Sequence, residues 1–245
     1  MRMLSTPVDR VAGAGLSLMV FGAVFGAYSY LVVGDSTLTA LGLACVVLGS
    51  VMVLVPSNPV PLSAVRAMVE GAAVNVEALL EEYEARSQAY YLPPRDGRVY
   101  CFVPLEEFSD VDLSGVLRAP IRVLVDAPGV RGLMVFPPGS EVVRIAGVGE
   151  EAGLEDALSY VLVDYLEAVN SVKAAEAGDN LIFQFKGSKM ETDFPLFASC
   201  LGSATVSVAG CVAAWVKGKP VSYLGEDRLG DSVTARFRVV DVGEE

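Results

Sequence analysis

The chain has 245 residues, and 53% of them are hydrophobic before glycine is counted, whereas an average soluble domain reaches about 45–50% with glycine included. The mean hydropathy of the whole chain is +0.49. Part of the chain is therefore expected to lie in an apolar solvent. The net charge of −12 belongs entirely to the residues after Pro56, which argues against nucleic acid as the main partner and against a domain pressed onto anionic lipid.

Two uncharged apolar runs predict a transmembrane helical hairpin over residues 1–56. The first run, residues 11–34, can cross a hydrocarbon core of roughly 30 Å at about 1.5 Å per residue. The second covers residues 37–56. The connection Gly34-Asp35-Ser36 leaves room only for a tight turn, so the two helices must be antiparallel neighbours. The lipid bilayer is therefore an expected partner.

Glycine recurs on one side of each predicted span. Gly15, Gly22 and Gly26 share a face of the first span, and Gly42 and Gly49 share a face of the second. Such faces let helix backbones approach closely, which drives packing inside a bilayer. Glycine is also simply common in membrane helices. We favour a packed hairpin, whose glycine faces permit homo-oligomers without requiring them.

Basic residues near the spans indicate the orientation. Arg2 and Arg10 precede the first span, Arg66 follows the second, and the connecting turn carries only Asp35. Lysine and arginine are enriched at the cytoplasmic ends of spans. We therefore expect a multi-pass protein of the cell membrane, with both termini and the soluble domain in the cytoplasm.

Residues 57–245 follow as an acidic α+β domain, which we expect to contain a mixed sheet and three helices. After a linker with two prolines, an apolar stripe of helical period predicts a helix at residues 63–89. Short apolar runs between turn signals predict strands. The first of these are residues 99–103, 121–125, 132–136 and 141–146, of which the last two form a hairpin around Pro137-Pro138-Gly139.

The second half of the domain begins with a predicted helix at residues 151–177, which ends at Gly178. Further strands are predicted at residues 181–185, 221–224 and 233–240. In the last strand, Val233, Ala235 and Phe237 alternate with polar residues, which predicts one buried face. The polar stretch 225–231 is interpreted as the turn between the final two strands.

Residues 194–216 are uncharged and long enough to cross a membrane. The run is rich in serine, threonine, glycine and alanine, so its insertion would be weakly driven. A third span would also place the final strands across the membrane from the other strands. We favour the buried central helix of the domain, and the third span remains the alternative.

One stretch carries a resemblance. It consists of Ala89-Tyr90-Tyr91-Leu92-Pro93-Pro94, then Gly97-Arg98-Val99-Tyr100, then Phe102-Val103-Pro104-Leu105. The pattern resembles uncharacterised membrane-anchored proteins of archaea, in which two spans precede a helix, a similar Tyr-x-Pro-Pro turn and a strand ending in Val-Pro-Leu. The resemblance implies an N-terminal hairpin with a cytoplasmic α/β domain. It supplies no site residue.

Two candidate sites depend on individual residues. Asp110 and Asp112 lie in an acidic loop, and clustered carboxylates suit Ca²⁺ or Mg²⁺, but a solvated loop is the favoured interpretation. Cys200 lies near the predicted start of the helix at residues 194–216, where the helix dipole lowers the pKa of a thiol. A small core residue is the favoured interpretation there.

The remaining composition argues against catalysis. The four cysteines include no CxxC pair, which fits a reducing compartment without disulfides. The chain contains no histidine, so it lacks the commonest general base and metal ligand. We expect no cofactor and no metal.

Three functions remain open at this stage. The first is a membrane-anchored, non-enzymatic interaction or scaffold module that binds a protein partner. The second is a domain that senses a small molecule or lipid in a pocket beside residues 194–216. The third, the least favoured, is a cysteine-dependent enzyme.

Overall fold

The computed structural model describes residues 7–54, 62–106, 113–127, 129–149, 152–190 and 194–242. Contacts between residues divide the chain into two compact units, residues 1–61 and 62–245. The acidic candidates Asp110 and Asp112 lie outside the described residues.

The N-terminal unit contains two apolar helices, α1 (Pro7–Tyr28) and α2 (Ser36–Leu54). A π-helical turn, Ser29–Val33, extends α1 and ends at Gly34, whose φ is 70°. The carboxylate of Asp35 then accepts the Thr37 N–H at 2.7 Å, and this bond caps α2. Both predicted apolar helices are confirmed as long and apolar enough to cross a membrane, and only 11% of each apolar window is buried.

The second unit is an α+β domain built on one sheet of eight strands. Its helices are α3 (Leu62–Glu82), α4 (Leu113–Arg118), α5 (Gly139–Ala146), α6 (Leu154–Ser159), α7 (Pro195–Leu201) and α8 (Ala204–Lys217). Its strands are β1 (Tyr90–Tyr91), β2 (Cys101–Pro104), β3 (Leu124–Ala127), β4 (Val130–Val135), β5 (Ser171–Ala177), β6 (Asn180–Lys186), β7 (Val221–Leu229) and β8 (Ser232–Val239).

The strand order is β3-β4-β2-β1-β7-β8-β6-β5. Every pairing among the described strands is antiparallel. The α+β class is confirmed, but the prediction of a sheet with both parallel and antiparallel pairs is wrong. Three helices were also too few, since the described part of this unit contains six.

Residues 141–146 belong to the helix α5, so the predicted hairpin there is wrong. Beside Gly139, the buried positions of α5 are Ser140, Val143 and Ala146, and this spacing of three is helical. Gly139 lets α5 approach α8 closely, because a Cβ on Gly139 would lie 2.6 Å from the Cα of Val208. Strand β4 forms its hairpin with β3 instead.

The predicted helix at residues 151–177 ends early. Helix α6 passes into a π-helical turn, Tyr160–Tyr165, and the chain then extends into β5, which pairs along its whole length with β6. Gly178 lies in the tight turn between these strands, with φ 60°. Alanine, lysine and glutamate in 171–177 favour a helix locally, and the cross-strand pairing overrides that preference.

Residues 194–216 form two helices, α7 and α8, rather than one. Gly202 separates them with φ 85°, a conformation that glycine adopts at no steric cost. The stretch Pro195–Lys217 is apolar enough to cross a membrane, yet 78% of its apolar window is buried inside the domain. Its small residues pack closely there, since a Cβ on Gly210 would lie 2.6 Å from the Tyr91 ring.

Two further boundaries differ from the prediction. Helix α3 ends at Glu82, well before residue 89, and Glu84 follows with a positive φ of 53°. Strand β7 continues to Leu229, so the turn to β8 contains only Gly230 and Asp231. The predicted polar turn 225–231 is therefore mostly strand, and a register shift lies between Tyr223 and Gly225.

The two faces of the sheet are covered unequally. Helices α5 to α8 and the buried side of α3 pack on one face, which we call the first face, and form the main core. The opposite, second face carries a smaller core made by α4 over β2, β3 and β4. Across β5, β6 and β8, the residues of the second face are exposed or partly exposed.

Candidate binding site

The five glycines singled out in the spans lie where α1 and α2 touch. A Cβ on Gly22 would lie 2.7 Å from the Cβ of Cys45, and one on Gly42 would lie 2.5 Å from the Cα of Gly26. Gly15 and Gly49 likewise leave no room for a side chain against the facing helix. The two backbones therefore approach at distances that larger residues would prevent.

Cys200 lies in the last turn of α7, not near a helix N-terminus as the sequence suggested. Its side chain is fully buried, and its Sγ lies 3.8 Å from the Ala85 carbonyl oxygen. Burial raises the pKa of the Cys200 thiol, which is the opposite of what a nucleophile requires.

Burial also raises the pKa of the Cys101 and Cys211 thiols, and of the hydroxyls of Tyr91 and Tyr223. All five side chains belong to the core of the first face. The Tyr91 hydroxyl donates to the Leu201 carbonyl at 2.6 Å. In the part of the chain that the structure describes, no group of three or more cysteine or acidic side chains is placed to hold a metal ion.

Two carboxylates from distant elements cap the helices of the first face. Glu77 of α3 accepts the backbone N–H groups of Leu196 and Phe197 at 3.1 and 2.5 Å, at the start of α7. Glu226 of β7 accepts the N–H and the hydroxyl of Ser203 at 3.1 and 2.9 Å, at the start of α8. Negative charge at helix N-termini is stabilising, so these carboxylates fix α7 and α8 on the sheet.

On the second face, the segment after β1 forms a rigid turn. Arg95 and Arg98 exchange backbone hydrogen bonds at 2.8 and 3.1 Å. Asp96 and Gly97 between them have φ of 54° and 72°, which is the geometry of a type I′ hairpin turn. The Leu92 N–H also donates to the Tyr100 carbonyl at 2.8 Å, so both arms of the turn are paired.

Arg95 joins this turn to the end of α4. Its guanidinium Nη1 donates to the Ala119 carbonyl at 2.6 Å. Because a charged donor meets a carbonyl oxygen at a helix C-terminus, the contact is favourable. It holds α4 at a fixed distance from the turn.

A pocket of about 310 Å³ remains between the turn and α4. Most of its wall is apolar, and Arg95 provides the charged edge. The residues that line it are Leu92, Pro93, Pro94, Arg95, Tyr100, Leu117 and Met134. A preformed concave apolar surface with a few polar groups is typical of a binding site. We call it the second-face pocket.

Sequence reasoning placed the expected pocket beside residues 194–216. The second-face pocket instead combines the segment after β1 with Tyr100 before β2, Leu117 of α4 and Met134 of β4, which are separated along the chain. One signal was available, because Tyr91-Leu92-Pro93-Pro94 is part of the stretch that carried the resemblance. The alternation in that stretch also separates Tyr91 on the first face from Leu92 on the second.

The exposed half of the second face carries four cations that the sequence analysis did not connect. They are Lys173 on β5, Lys186 on β6, and Arg236 and Arg238 on β8. All four are exposed. We call this surface the basic face.

The family model described as Domain of unknown function (DUF7982) matches residues 9–192 of the chain. The match covers most of the sequence, so the chain belongs to this family. No curated protein and no solved structure matches it.

Proposed function

We propose that this member of the DUF7982 family is a membrane-anchored, non-enzymatic interaction module. Helices α1 and α2 anchor it in the cell membrane, with both termini and the domain in the cytoplasm, and the second-face pocket receives an apolar side chain of a partner protein. The observation that carries this proposal is the pocket itself, formed where the Leu92–Arg95 segment faces α4.

The pocket suits an anchor residue of a partner. Interface energy concentrates where an aromatic, aliphatic or arginine side chain enters a preformed, desolvated pocket. Here the paired turn and the hydrogen bond from Arg95 to Ala119 hold the walls in place before a partner binds. Little conformational entropy is then lost on binding, because the walls do not need to be ordered.

Anchorage is supported by the surface of α1 and α2. Large apolar side chains such as Val24 and Leu54 are 66% and 77% exposed there. Soluble proteins rarely expose contiguous apolar surface of this kind. The arginines near the spans support the cytoplasmic orientation. The buried thiols with raised pKa values argue against a cysteine nucleophile.

A second candidate is a sensor of a small apolar molecule. A volume of about 310 Å³ lies at the lower end of the range for small-molecule sites. Arg95 would then face a polar or anionic group on the ligand. The same experiment separates the two candidates.

The test is mass spectrometry of the full-length protein purified from its native membrane in mild detergent, for co-purified proteins and small molecules. Leu117→Trp fills the pocket from α4, where Leu117 is half-buried. Ile145→Trp is the matched control, because Ile145 is exposed on α5, on the other side of the sheet.

We expect a stoichiometric protein partner with the wild type and with Ile145→Trp, and its loss with Leu117→Trp. A partner retained by Leu117→Trp would contradict the proposed site. A small molecule that is lost with Leu117→Trp, without any protein partner, would favour the sensor. A preparation that carries neither would count against both candidates.

A further inference from the structure

The basic face is assembled by strand register. Ile182 pairs with Arg236 and Asn180 pairs with Arg238, so the two arginines point to the same side of the sheet as residues 180 and 182. On the other flank of β6, Ser171 pairs with Lys186 and Lys173 pairs with Gln184. The register therefore places all four cations on one side of three adjacent strands.

This side is the second face. Arg238 pairs across β7 with Ser222, which pairs with Tyr90, which pairs with Phe102 of the smaller core. The same side carries α4 and the second-face pocket at its other end. No described helix covers the part formed by β5, β6 and β8, where Ile182 is 42% exposed.

The charge of this surface is opposite to that of the chain. Among the described residues of β5 to β8 that point to the second face, Asp227 is the single carboxylate, and it pairs with Arg236 at 2.8 Å. Glu176 and Glu226 on the same strands point to the first face, where they bind Lys217 and Ser203. Four cations thus oppose one carboxylate on a chain of net charge −12.

An apolar side chain projects at one end of the basic face. Leu229, the last residue of β7, is 86% exposed. It pairs with Ser232, which pairs with Lys186. An exposed leucine one strand away from Lys186, at the end of a cationic surface, is a combination that suits a bilayer interface.

We propose that the basic face binds the anionic lipid headgroups of the bilayer that holds α1 and α2, with Leu229 entering the interface. This inference rests on the membrane anchorage in the proposed function and is independent of the pocket. Seven residues, 55–61, join α2 to α3, and they reach at most about 25 Å when extended.

The arrangement of the cations favours lipid over an acidic peptide. Strands lie about 4.8 Å apart, so cations on β5, β6 and β8 spread over a surface roughly 10 Å wide rather than following a single strand. A spread of this kind matches many mobile headgroups, and each cation near an anionic bilayer adds to the attraction. The net charge of the chain argued against contact with anionic lipid, because it sums surfaces of opposite sign.

The test uses the full chain in nanodiscs and its single tryptophan, Trp215. Trp215 lies in α8 over the first face, and its Nε1 donates to the Val148 carbonyl at 3.0 Å. The reporter is the double substitution Trp215→Phe with Leu229→Trp, and the quencher is lipid brominated on its acyl chains. The unsubstituted protein is the control, since Trp215 should not meet the quencher.

In discs with phosphatidylglycerol, we expect strong quenching of the Leu229→Trp reporter and none of Trp215. In discs of phosphatidylcholine alone, the quenching should fall at least severalfold. Adding Lys173→Ala and Lys186→Ala should have the same effect, whereas Arg122→Ala with Lys219→Ala, outside the basic face, should not. Salt at 1 M should also reduce the quenching, because it screens exposed charges within about 3 Å.

Equal quenching in both kinds of disc, or none in either, would overturn the inference. Protection of the basic face by an added polyglutamate peptide, without quenching by lipid, would identify an acidic protein segment as the occupant instead. Retention of the protein in the discs at 1 M salt tests separately whether α1 and α2 anchor it. Failure of anchorage and failure of the basic face are therefore distinguishable.

Discussion

The first and second faces of the sheet differ in how completely their side chains are buried by packed helices. On the first face, aromatic rings, buried thiols and five helices fill the space, and carboxylates from α3 and β7 cap two of those helices. On the second face, one short helix covers half of the sheet and leaves a pocket and a cationic surface. Stability therefore depends mainly on the first face, and the second is available for binding.

Among the substitutions considered, the largest loss of stability is expected at Phe237. Its ring lies 6.1, 5.3 and 5.5 Å from the rings of Tyr91, Phe183 and Tyr223 on the first face. Phe237→Ala should lower the free energy of unfolding by about 3–5 kcal/mol, because it leaves a cavity. Arg236→Ala, one residue away on the second face, should change it by less than about 0.5 kcal/mol. Urea unfolding in detergent, followed by circular dichroism, measures both.

Alkaline pH should weaken the first face. Burial raises the pKa of Cys101, Cys200, Cys211, Tyr91 and Tyr223 in the folded state. These groups ionise in the unfolded chain above about pH 8.5 for cysteine and pH 10 for tyrosine. Stability should be complete below these values and should fall by about 1.4 kcal/mol per pH unit for each ionising group.

Melting temperatures between pH 7.5 and 10.5 measure this effect. Cys211→Ala should make the decline shallower, since it removes one such group. A melting temperature that stays constant over this range would show that the buried acids do not contribute in this way.

Removing the cap of α7 should have an intermediate effect on the free energy of unfolding. Glu77→Ala leaves the N–H groups of Leu196 and Phe197 without their carboxylate, which should cost about 1–2 kcal/mol. Glu81→Ala is the control on the same helix, because Glu81 is exposed, and it should be nearly neutral. Equal losses for the two variants, in the same urea experiment, would contradict the role of Glu77.

The smallest effect on stability is expected in the pocket. Leu117→Trp changes a half-buried position of α4, so the free energy of unfolding should change by less than about 1 kcal/mol. Binding of the partner should nevertheless be lost. A large loss of stability in this variant would mean that the second face supports the fold as strongly as the first.

Local patterns predicted part of the regular structure. The two apolar runs are helices, and the alternation in β8 gave its buried face correctly at Val233, Ala235 and Phe237. Patterns failed where tertiary contacts override local preference. The β-branched residues of α5 suggested a strand, but the helix is favoured by contact with α8 and by the bond from the Val99 N–H to the Ser140 hydroxyl at 3.0 Å.

The pocket and the basic face could not be predicted, because they depend on register and on distant neighbours. Lys173, Lys186 and Arg236 are separated along the sequence and come together only through the pairing of β5, β6 and β8. The pocket likewise needs the Arg95 contact with Ala119, which joins a turn to a helix 24 residues later. The Tyr91-Leu92-Pro93-Pro94 stretch was the one local signal for the pocket.

The most direct test of the central claim is photo-crosslinking in native membranes. A photoreactive phenylalanine derivative would replace Leu117 in the pocket or Ile145 on α5, and adducts would be identified by mass spectrometry. The account predicts that a protein adduct forms from position 117 and not from position 145. An adduct from position 145 without one from position 117 would contradict it, because the partner would then bind the side of the sheet that the helices cover.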